Sequence, residues 1–559
     1  MTSRVFEASG PGTWELDTTH FSKPLSAYTS SIMGDSLVRG FKEGTERFGL
    51  LMSHLKSVHI HGFSYSQPVL AFTAEDAPPG PPPAGYFEQP ELQDRLRRGK
   101  KAIENKLWRE DLKRWDDEVK PDSIRSNLEL QAINPQSLDT EGLIRHMTDC
   151  YQNVAEMLYR HHIFTIPSVI PVGLYVGHVC QWSGASPGEV LNLLKGSSPV
   201  SRGLAAAELE EITELLQQAG IEAEQFRSMP PAEALDALRS RGGRIGEAIE
   251  NYLNIVGMQL TSGYDITERY ALEMPEILVA NILSPQSRNL VDENQTSIED
   301  ARQALRLKVP PEHRDEFDAL LDEARLINRL RDERGAYNEA RAFGLSRRAV
   351  LEAGKRLQNE GRLPQAAMLL HASHEEMIAM LRGENTVTVA QLQQREHWYN
   401  NTTTDDVPPY LGPPPEPPPP LEALPEDARP GALAIAAAFG NLSDPPTTET
   451  PSDQVVKGFA VSAGIYEGTA RLIQSPADFQ RLQAGDVLIT KNTSAAFNVV
   501  MPMLGAIVTD RGGQLSHAAI VAREYGIPAL VSTRNATRLI PDGARVRVDG
   551  SSATVEVLS

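Results

Sequence analysis

The feature that most constrains this chain is a proline run. Residues 408–420 read PPYLGPPPEPPPP, and nine of these 13 positions are proline. Proline lacks a backbone N–H and has a locked φ, so the run cannot continue a helix or donate to a sheet. At about 3.1 Å per residue it would reach roughly 40 Å as a semi-rigid spacer. A second weak segment, SDPPTTETPS (Ser443 to Ser452), follows an alanine-rich apolar stretch from Gly431 to Gly440. These segments predict a Pro-rich mobile linker over 401–453, with room for one helix inside it. The linker would divide a domain of residues 1–400 from one of residues 454–559. A smaller cluster, Pro78 to Pro83, reads as a loop in the first domain.

The two sides of this linker differ in pattern. Upstream, apolar residues recur at helical spacing. Leu92, Leu96, Ile103, Leu107, Leu112 and Trp115 suggest one long amphipathic helix, and further helices are expected near 140–160, 203–219, 231–239, 245–260, 312–333, 346–359 and 372–382. The first 75 residues are less regular and leave room for strands. Downstream, short β-branched runs separated by Gly, Asp or Pro read as strands: Val455–Ala460, Thr469–Ile473, Val487–Thr490, Ala506–Thr509, Ala529–Ser532, Arg545–Val548 and Thr554–Leu558. Ser494–Leu504 and Ser516–Tyr525 read as short helices between them. The expected fold class is therefore multidomain: a mainly α (α+β) domain followed by a small α/β domain.

Composition narrows the partners. The 559 residues carry 54 Lys plus Arg against 74 Asp plus Glu, a net charge of −20. Nucleic acid and anionic membranes are bound by neutralising phosphates with basic side chains, so neither is an expected partner. Two cysteines, Cys150 and Cys180, exclude a disulfide scaffold and a four-cysteine zinc site, and suit a reducing cytoplasm. No charged-then-apolar leader and no run of about 18 apolar residues is evident, so a cytoplasmic location without a membrane span is expected.

The densest chemical signal is residues 506–530, AIVTDRGGQLSHAAIVAREYGIPAL. A strand ending at Thr509 leads through Gly512 and Gly513 to Ser516, His517 and a helical run. Glycines before a helix start let the backbone turn tightly and leave room for an anion, which the first-turn N–H groups and the helix dipole favour. The same dipole disfavours a protonated imidazole, so His517 stays neutral and nucleophilic near neutral pH. Such an imidazole can take a phosphoryl group.

The segment GGQLSHAAIVAREYGIPAL resembles the phosphohistidine signature of the phosphoenolpyruvate-utilising enzymes. The resemblance extends from Gly464 through GDVLIT (Gly485 to Thr490) to Val546, Asp549 and Gly550. It implies a swivelling domain in which His517 collects a phosphoryl group at one site and delivers it at another, cradled by Thr509, Gly512, Gly513 and Ser516. Arg523 and Glu524 match a following Arg-Glu pair and read as ion-pairing residues. The segments PGTWELDTTHFSKPLS (Pro11 to Ser26), SGYDITERYALEMPEIL (Ser262 to Leu278) and Glu333 to Leu363 more weakly resemble the acceptor-binding region of the family's rifampicin phosphotransferase and phenylphosphate synthase branches. No Walker A loop, kinase loop set or ATP-grasp pattern is found; Gly242-Gly243-Arg244-Ile245-Gly246 reads as a helix start. The order acceptor domain, linker, swivelling domain resembles the histidine-bearing subunit of phenylphosphate synthase. It implies ATP and Mg²⁺ bound mainly by a separate ATP-grasp subunit, and a phenolic small-molecule acceptor. The alternatives are an antibiotic phosphotransferase component and a phosphocarrier or regulatory binding protein.

Other residues are candidates for acceptor chemistry. In SVHIHGFSYS, His59 and His61 would share one face of a strand, and His20 lies in a family-like segment, so all three could serve as acceptor base. No third ligand accompanies His59 and His61, and no metal site is expected. His161 and His162 fall at a helix end, where they suit the dipole. Arg325, Arg329, Arg341, Arg347, Arg348 and Arg356 concentrate positive charge; Arg329 and Arg341 are the candidates for receiving a phosphorylated domain, although interleaved acids also allow a solvated helix with side-to-side ion pairs.

Overall fold

The computed structural model describes residues 4–73, 82–198, 200, 204–283, 290–440, 455–474, 476–493, 497 and 500–558. The chain forms two compact units. The first comprises residues 1–170, 263–269 and 333–433; the second comprises 171–262, 270–332 and 434–559. The expected single domain over 1–400 is therefore divided, and its middle helices join the C-terminal residues. The physical reason is apolar: Met274 and Ile277 are buried in one cluster with Phe479, Leu482, Phe497 and Val500.

In the first unit an antiparallel sheet runs in the order β2 (Met52–Ile60), β3 (Phe63–Leu70), β1 (Trp14–Leu16), β4 (Tyr410–Leu411). The Ala27–Arg47 helix begins where the Ser26 side chain accepts from Thr29 N–H, and buries Tyr28, Ile32, Met33 and Phe41. It crosses the Thr140–Ile163 helix so closely that a Cβ on Gly40 would lie 2.5 Å from His162 Cβ. The long helix expected from Leu92 to Trp115 is broken into Pro90–Glu104, Trp108–Arg114 and a π-turn over Trp115–Val119, because Lys106 takes a left-handed φ of 55°. The other helices expected in residues 140–382 fall where helical spacing placed them, with shifted ends.

The proline run differs from the free spacer expected of it. Tyr410 and Leu411 pair with Glu15 and Trp14. Leu16 N–H donates to Pro409 O at 3.0 Å, the Tyr65 hydroxyl to Pro408 O at 2.8 Å, and the Thr13 hydroxyl to Pro413 O at 2.9 Å. Proline loses the donor but keeps a strong carbonyl acceptor, and an edge strand tolerates it. The Arg429–Gly440 helix follows. Ser443 to Ser452, and most of the Pro78 to Pro83 cluster, lie outside the described residues.

In the second unit, helices between Ala206 and Leu283 enclose their own core around Ile212, Leu238, Ile249 and Tyr252. The C-terminal residues form an eight-stranded sheet, ordered β5 (Val455–Lys457), β12 (Thr554–Val557), β11 (Arg545–Asp549), β7 (Ile465–Leu472), β8 (Val487–Thr490), β9 (Ala506–Thr509), β10 (Ala529–Val531), β6 (Phe459–Ser462). Strands β7 to β10 are parallel neighbours and the flanking pairs antiparallel. Central strands buried on both faces read as unbroken apolar runs, as VLIT and AIVT do. The helix expected over Ser494–Leu504 falls partly outside the described residues; its end is a 3₁₀ turn, Met501–Met503. Among the described residues one helical stretch, Thr140–Ser183, is long and apolar enough to cross a membrane, and 83% of its apolar window is buried inside the protein.

Candidate active site

His517 opens a nine-residue helix, His517–Tyr525, whose cap is Ser516: its side chain accepts from Ala519 N–H at 3.4 Å. The loop before it is built for tightness. Gly512 has φ 114°, and a Cβ there would sit 2.8 Å from Ser516 Oγ. The Ser532 hydroxyl donates to Gly512 O at 2.7 Å, and Ser516 N–H to Gly513 O at 3.0 Å. Thr509 is fully buried and its hydroxyl donates to Arg511 O at 2.7 Å, closing the turn after β9. The residues named as phosphate-cradling thus surround the start of the helix, with Ser516 and Thr509 holding backbone.

Arg523 does something other than surface ion pairing. It is 5% exposed and donates to Gln514 O at 2.6 Å and Val461 O at 3.3 Å, fastening the loop to β6. Burial pushes its guanidinium down to about 9. Glu524 accepts from Gly196 N–H at 2.9 Å.

The imidazole of His517 is held from one side. Its Nδ1 lies 2.9 Å from Thr493 Oγ1, while Nε2 is buried without a hydrogen-bond partner. Loop pinning sets this contact: Asp510 N–H donates to Thr490 O at 3.0 Å and Arg511 N–H to Lys491 O at 2.8 Å, bringing the loops after β8 and β9 side by side. Burial first, then the positive charge of Arg331, pushes the His517 pKa down to about 4. Arg331 is tied to the same loop, donating to Leu515 O. The tautomer suited to nucleophilic attack has Nδ1–H donating to Thr493 Oγ1, leaving the Nε2 lone pair free. Thr493 and Arg331 were not among the residues singled out from the sequence. A threonine 24 positions away and an arginine 186 away carry no local signal; only the sheet and the apolar cluster bring them in.

Arg329 and Arg341, the arginines named for receiving a phosphorylated face, lie in different units. Arg329 belongs to the second unit and Arg341, 8% exposed, to the first. Arg347 donates to Ile266 O at 2.9 Å, Arg348 to Leu130 O at 3.0 Å and Arg356 to Leu138 O at 2.8 Å. These three bind carbonyls at chain ends and turns, and Arg356 also pairs with Glu352 one turn earlier at 3.3 Å.

His59 and His61, two of the three histidines named as acceptor bases, are not brought to one strand face. Strand β2 ends at Ile60, which pairs with Phe63; His61 and Gly62 are the two turn residues, with φ of 53° and 88°. A type I′ hairpin turn takes positive φ at both central positions, which Gly62 and His61 adopt here. His61 Nε2–H donates to Val5 O at 2.9 Å, so this ring is used to hold the N-terminal segment. His59 stays in the strand with Nε2 buried and without a partner, and burial pushes its pKa down to about 4. His20 lies 2.9 Å from Asp17 with its side chain 57% exposed. His161 and His162 are both pushed well below the ordinary imidazole range by burial, so they are neutral and cannot serve the helix dipole as cations.

Residues 482–553 match the mobile domain of PEP-utilising enzymes, and residues 161–332 match the fourth domain of rifampicin phosphotransferase. These two matched segments are similar to parts of PEP-utilising enzymes. Among its relatives is rifampicin phosphotransferase of Streptomyces sp, 28% identical over 57% of this chain and 35% of that protein. A probable phosphoenolpyruvate synthase of Staphylothermus marinus is 48% identical over 18% of this chain and 12% of that protein. Chondramide synthase of Chondromyces crocatus is 24% identical over 98% of this chain and 14% of that protein. The matched part of the chain spans about a third of the length of the rifampicin phosphotransferases. His517 lies within the mobile-domain match, and Arg331 within the fourth-domain match.

Proposed function

We propose that this chain is the phosphohistidine and acceptor component of a dikinase-type phosphotransferase, which phosphorylates the hydroxyl of a phenolic small molecule through phospho-His517 and yields AMP, phosphate and an aryl phosphate. The observation that carries this reading is His517 itself: Nδ1 held by Thr493, Nε2 desolvated and unpartnered, at the start of a helix. A desolvated imidazole lone pair is a ready nucleophile, and helix N–H groups stabilise the phosphoryl oxygens that arrive with it.

Chemically, Nε2 forms a bond to the β-phosphorus of ATP as the bond to the AMP oxygen breaks and AMP leaves with the electron pair, and water then takes the γ-phosphoryl group as phosphate, leaving one phosphoryl group on Nε2. The acceptor oxygen then forms its bond to phosphorus as P–N breaks and the electron pair returns to Nε2. The acceptor's proton must go to a base. A phenol, with a pKa of about 10, asks only modest work of that base. ATP and Mg²⁺ are assigned to a separate ATP-grasp subunit. Among the described residues no three His, Cys, Asp or Glu side chains are grouped to hold a metal ion. The rifampicin phosphotransferase relatives favour a second reading, an antibiotic as acceptor.

The test is reconstitution with an ATP-grasp protein and β-labelled ATP. Label should enter the chain as an acid-labile adduct and His517→Ala should abolish it, a fall of at least about a thousandfold. Acid-labile label retained by the variant would move the carrier elsewhere. Phenols and rifamycin-type antibiotics, offered in turn and followed by mass spectrometry, separate the two acceptor readings.

A further inference from the structure

The Arg314–Tyr337 and Glu339–Asn359 helices are consecutive in sequence and interrupted by one residue. Asn338 has φ −97° and ψ −96°, outside the populated regions for an L-residue. It is fully buried, and neither its amide oxygen nor its amide nitrogen has a hydrogen-bond partner. Strain of this kind persists only where the surroundings over-determine it, and it gathers at ligand and active sites.

Around the break lies a set of buried polar atoms. Glu339, 1% exposed, places Oε1 2.8 Å from His161 Nδ1, and its Oε2 has no hydrogen-bond partner. The rings of His161 and His162 are 4.9 Å apart, and His162 Nδ1 is buried and unpartnered. Gly335 sits one turn before Glu339, where a Cβ would come within 3.3 Å of Glu339 Oε1. Arg334 anchors the far side by donating to His161 O at 3.0 Å. A closed core satisfies its polar groups. Here four atoms, on Asn338, Glu339 and His162, are left without partners.

We infer that the helix break at Asn338 is the binding site for the acceptor hydroxyl, and that the Glu339–His161 pair takes its proton. This rests on the proposed phosphotransfer. The acceptor O–H bond breaks, its proton goes to the pair, and the oxygen keeps the electron pair with which it attacks phosphorus. Burial raises the Glu339 carboxyl to about 8, so the pair becomes competent as pH rises through that value, and a carboxylate of that basicity is well matched to a phenol. The charged and titratable groups that bear on the pair are Arg334, His162 and His20, the last held by Asp17.

The test uses the full chain and phenol, whose pKa of about 10 keeps it protonated in free solution at pH 8 and whose phenolate absorbs at a longer wavelength than the phenol. Bound probe should shift toward phenolate as pH passes through about 8, and Glu339→Gln and His161→Asn, each checked for folding by circular dichroism, should each reduce the shift at least tenfold. No spectral shift at saturating probe, or an undiminished shift in both variants, would overturn the inference. Charging of His517 by phosphoramidate is read separately on the unaltered chain: if charging fails while the spectral shift stands, the carrier reading falls and this site survives.

Discussion

Two histidine sites can be compared, and they are built by opposite means. The His517 site is made by contiguous backbone: a strand end, two glycines, a capping serine and the helix all lie between Thr509 and Tyr525. Thr493, Arg331 and the Ser532 hydroxyl that holds Gly512 O come from elsewhere. The Glu339 site has no contiguous motif. It joins the ends of two helices, 178 positions apart between His161 and Glu339, at a point where one of them breaks. Contiguous sites are written in local spacing, whereas assembled sites appear only once the chain packs. The first depends on conformations that only glycine adopts; the second depends on withholding hydrogen bonds from groups that would normally have them.

The most damaging change short of His517 itself should therefore be to backbone. Gly512→Ala puts a Cβ 2.8 Å from Ser516 Oγ at a φ of 114°, so the loop must shift. We expect a destabilisation of about 1–3 kcal/mol and a fall of roughly a hundredfold in phosphoramidate labelling of His517, as displacements near 1 Å typically cause. Equal labelling of variant and parent would show that the glycine turn does not position the imidazole. Gly335→Ala, beside the second site, should leave His517 labelling unchanged.

The same contrast explains what was legible in the sequence. VLIT and AIVT were readable as strands because a doubly buried strand shows as an unbroken β-branched run. The glycine-serine-histidine start was readable because caps and tight turns are local. His59 and His61 misled because two-residue spacing holds only within a strand, and Ile60-His61-Gly62-Phe63 turns: the glycine after His61 was the available signal. The proline run does not read as a strand because proline removes donors, yet its retained carbonyl acceptors are what tie it to Leu16, Tyr65 and Thr13. The pairing of His161 with Glu339, and the division of the first 400 residues between two units, depend on packing that no spacing records.

A smaller effect isolates the side-chain contribution to the first site. Thr493→Val removes the hydroxyl beside Nδ1 and leaves the loop volume nearly unchanged. Labelling of His517 should slow about tenfold, equivalent to about 1.4 kcal/mol, and Thr493→Ser should restore it. An undiminished rate in the valine variant would mean that the ring is oriented by packing alone.

The smallest effect concerns acid. An imidazole at its ordinary value of about 6.5 would be roughly 97% protonated at pH 5, and its neutral fraction would fall about twenty-five-fold from pH 7. With His517 pushed down to about 4, the neutral form still predominates at pH 5, and labelling should fall by less than twofold between pH 7 and pH 5. Both causes of the shift disfavour the protonated ring, so removing one of them moves the acid limb upward. Arg331→Met deletes the neighbouring charge but leaves most of the burial, and its labelling should begin to fail at higher pH than the parent's. Because the donor titrates identically in both assays, the difference between the two profiles reports on His517. Coincident profiles would mean that burial alone keeps this histidine neutral and that Arg331 acts only through the loop carbonyl it holds.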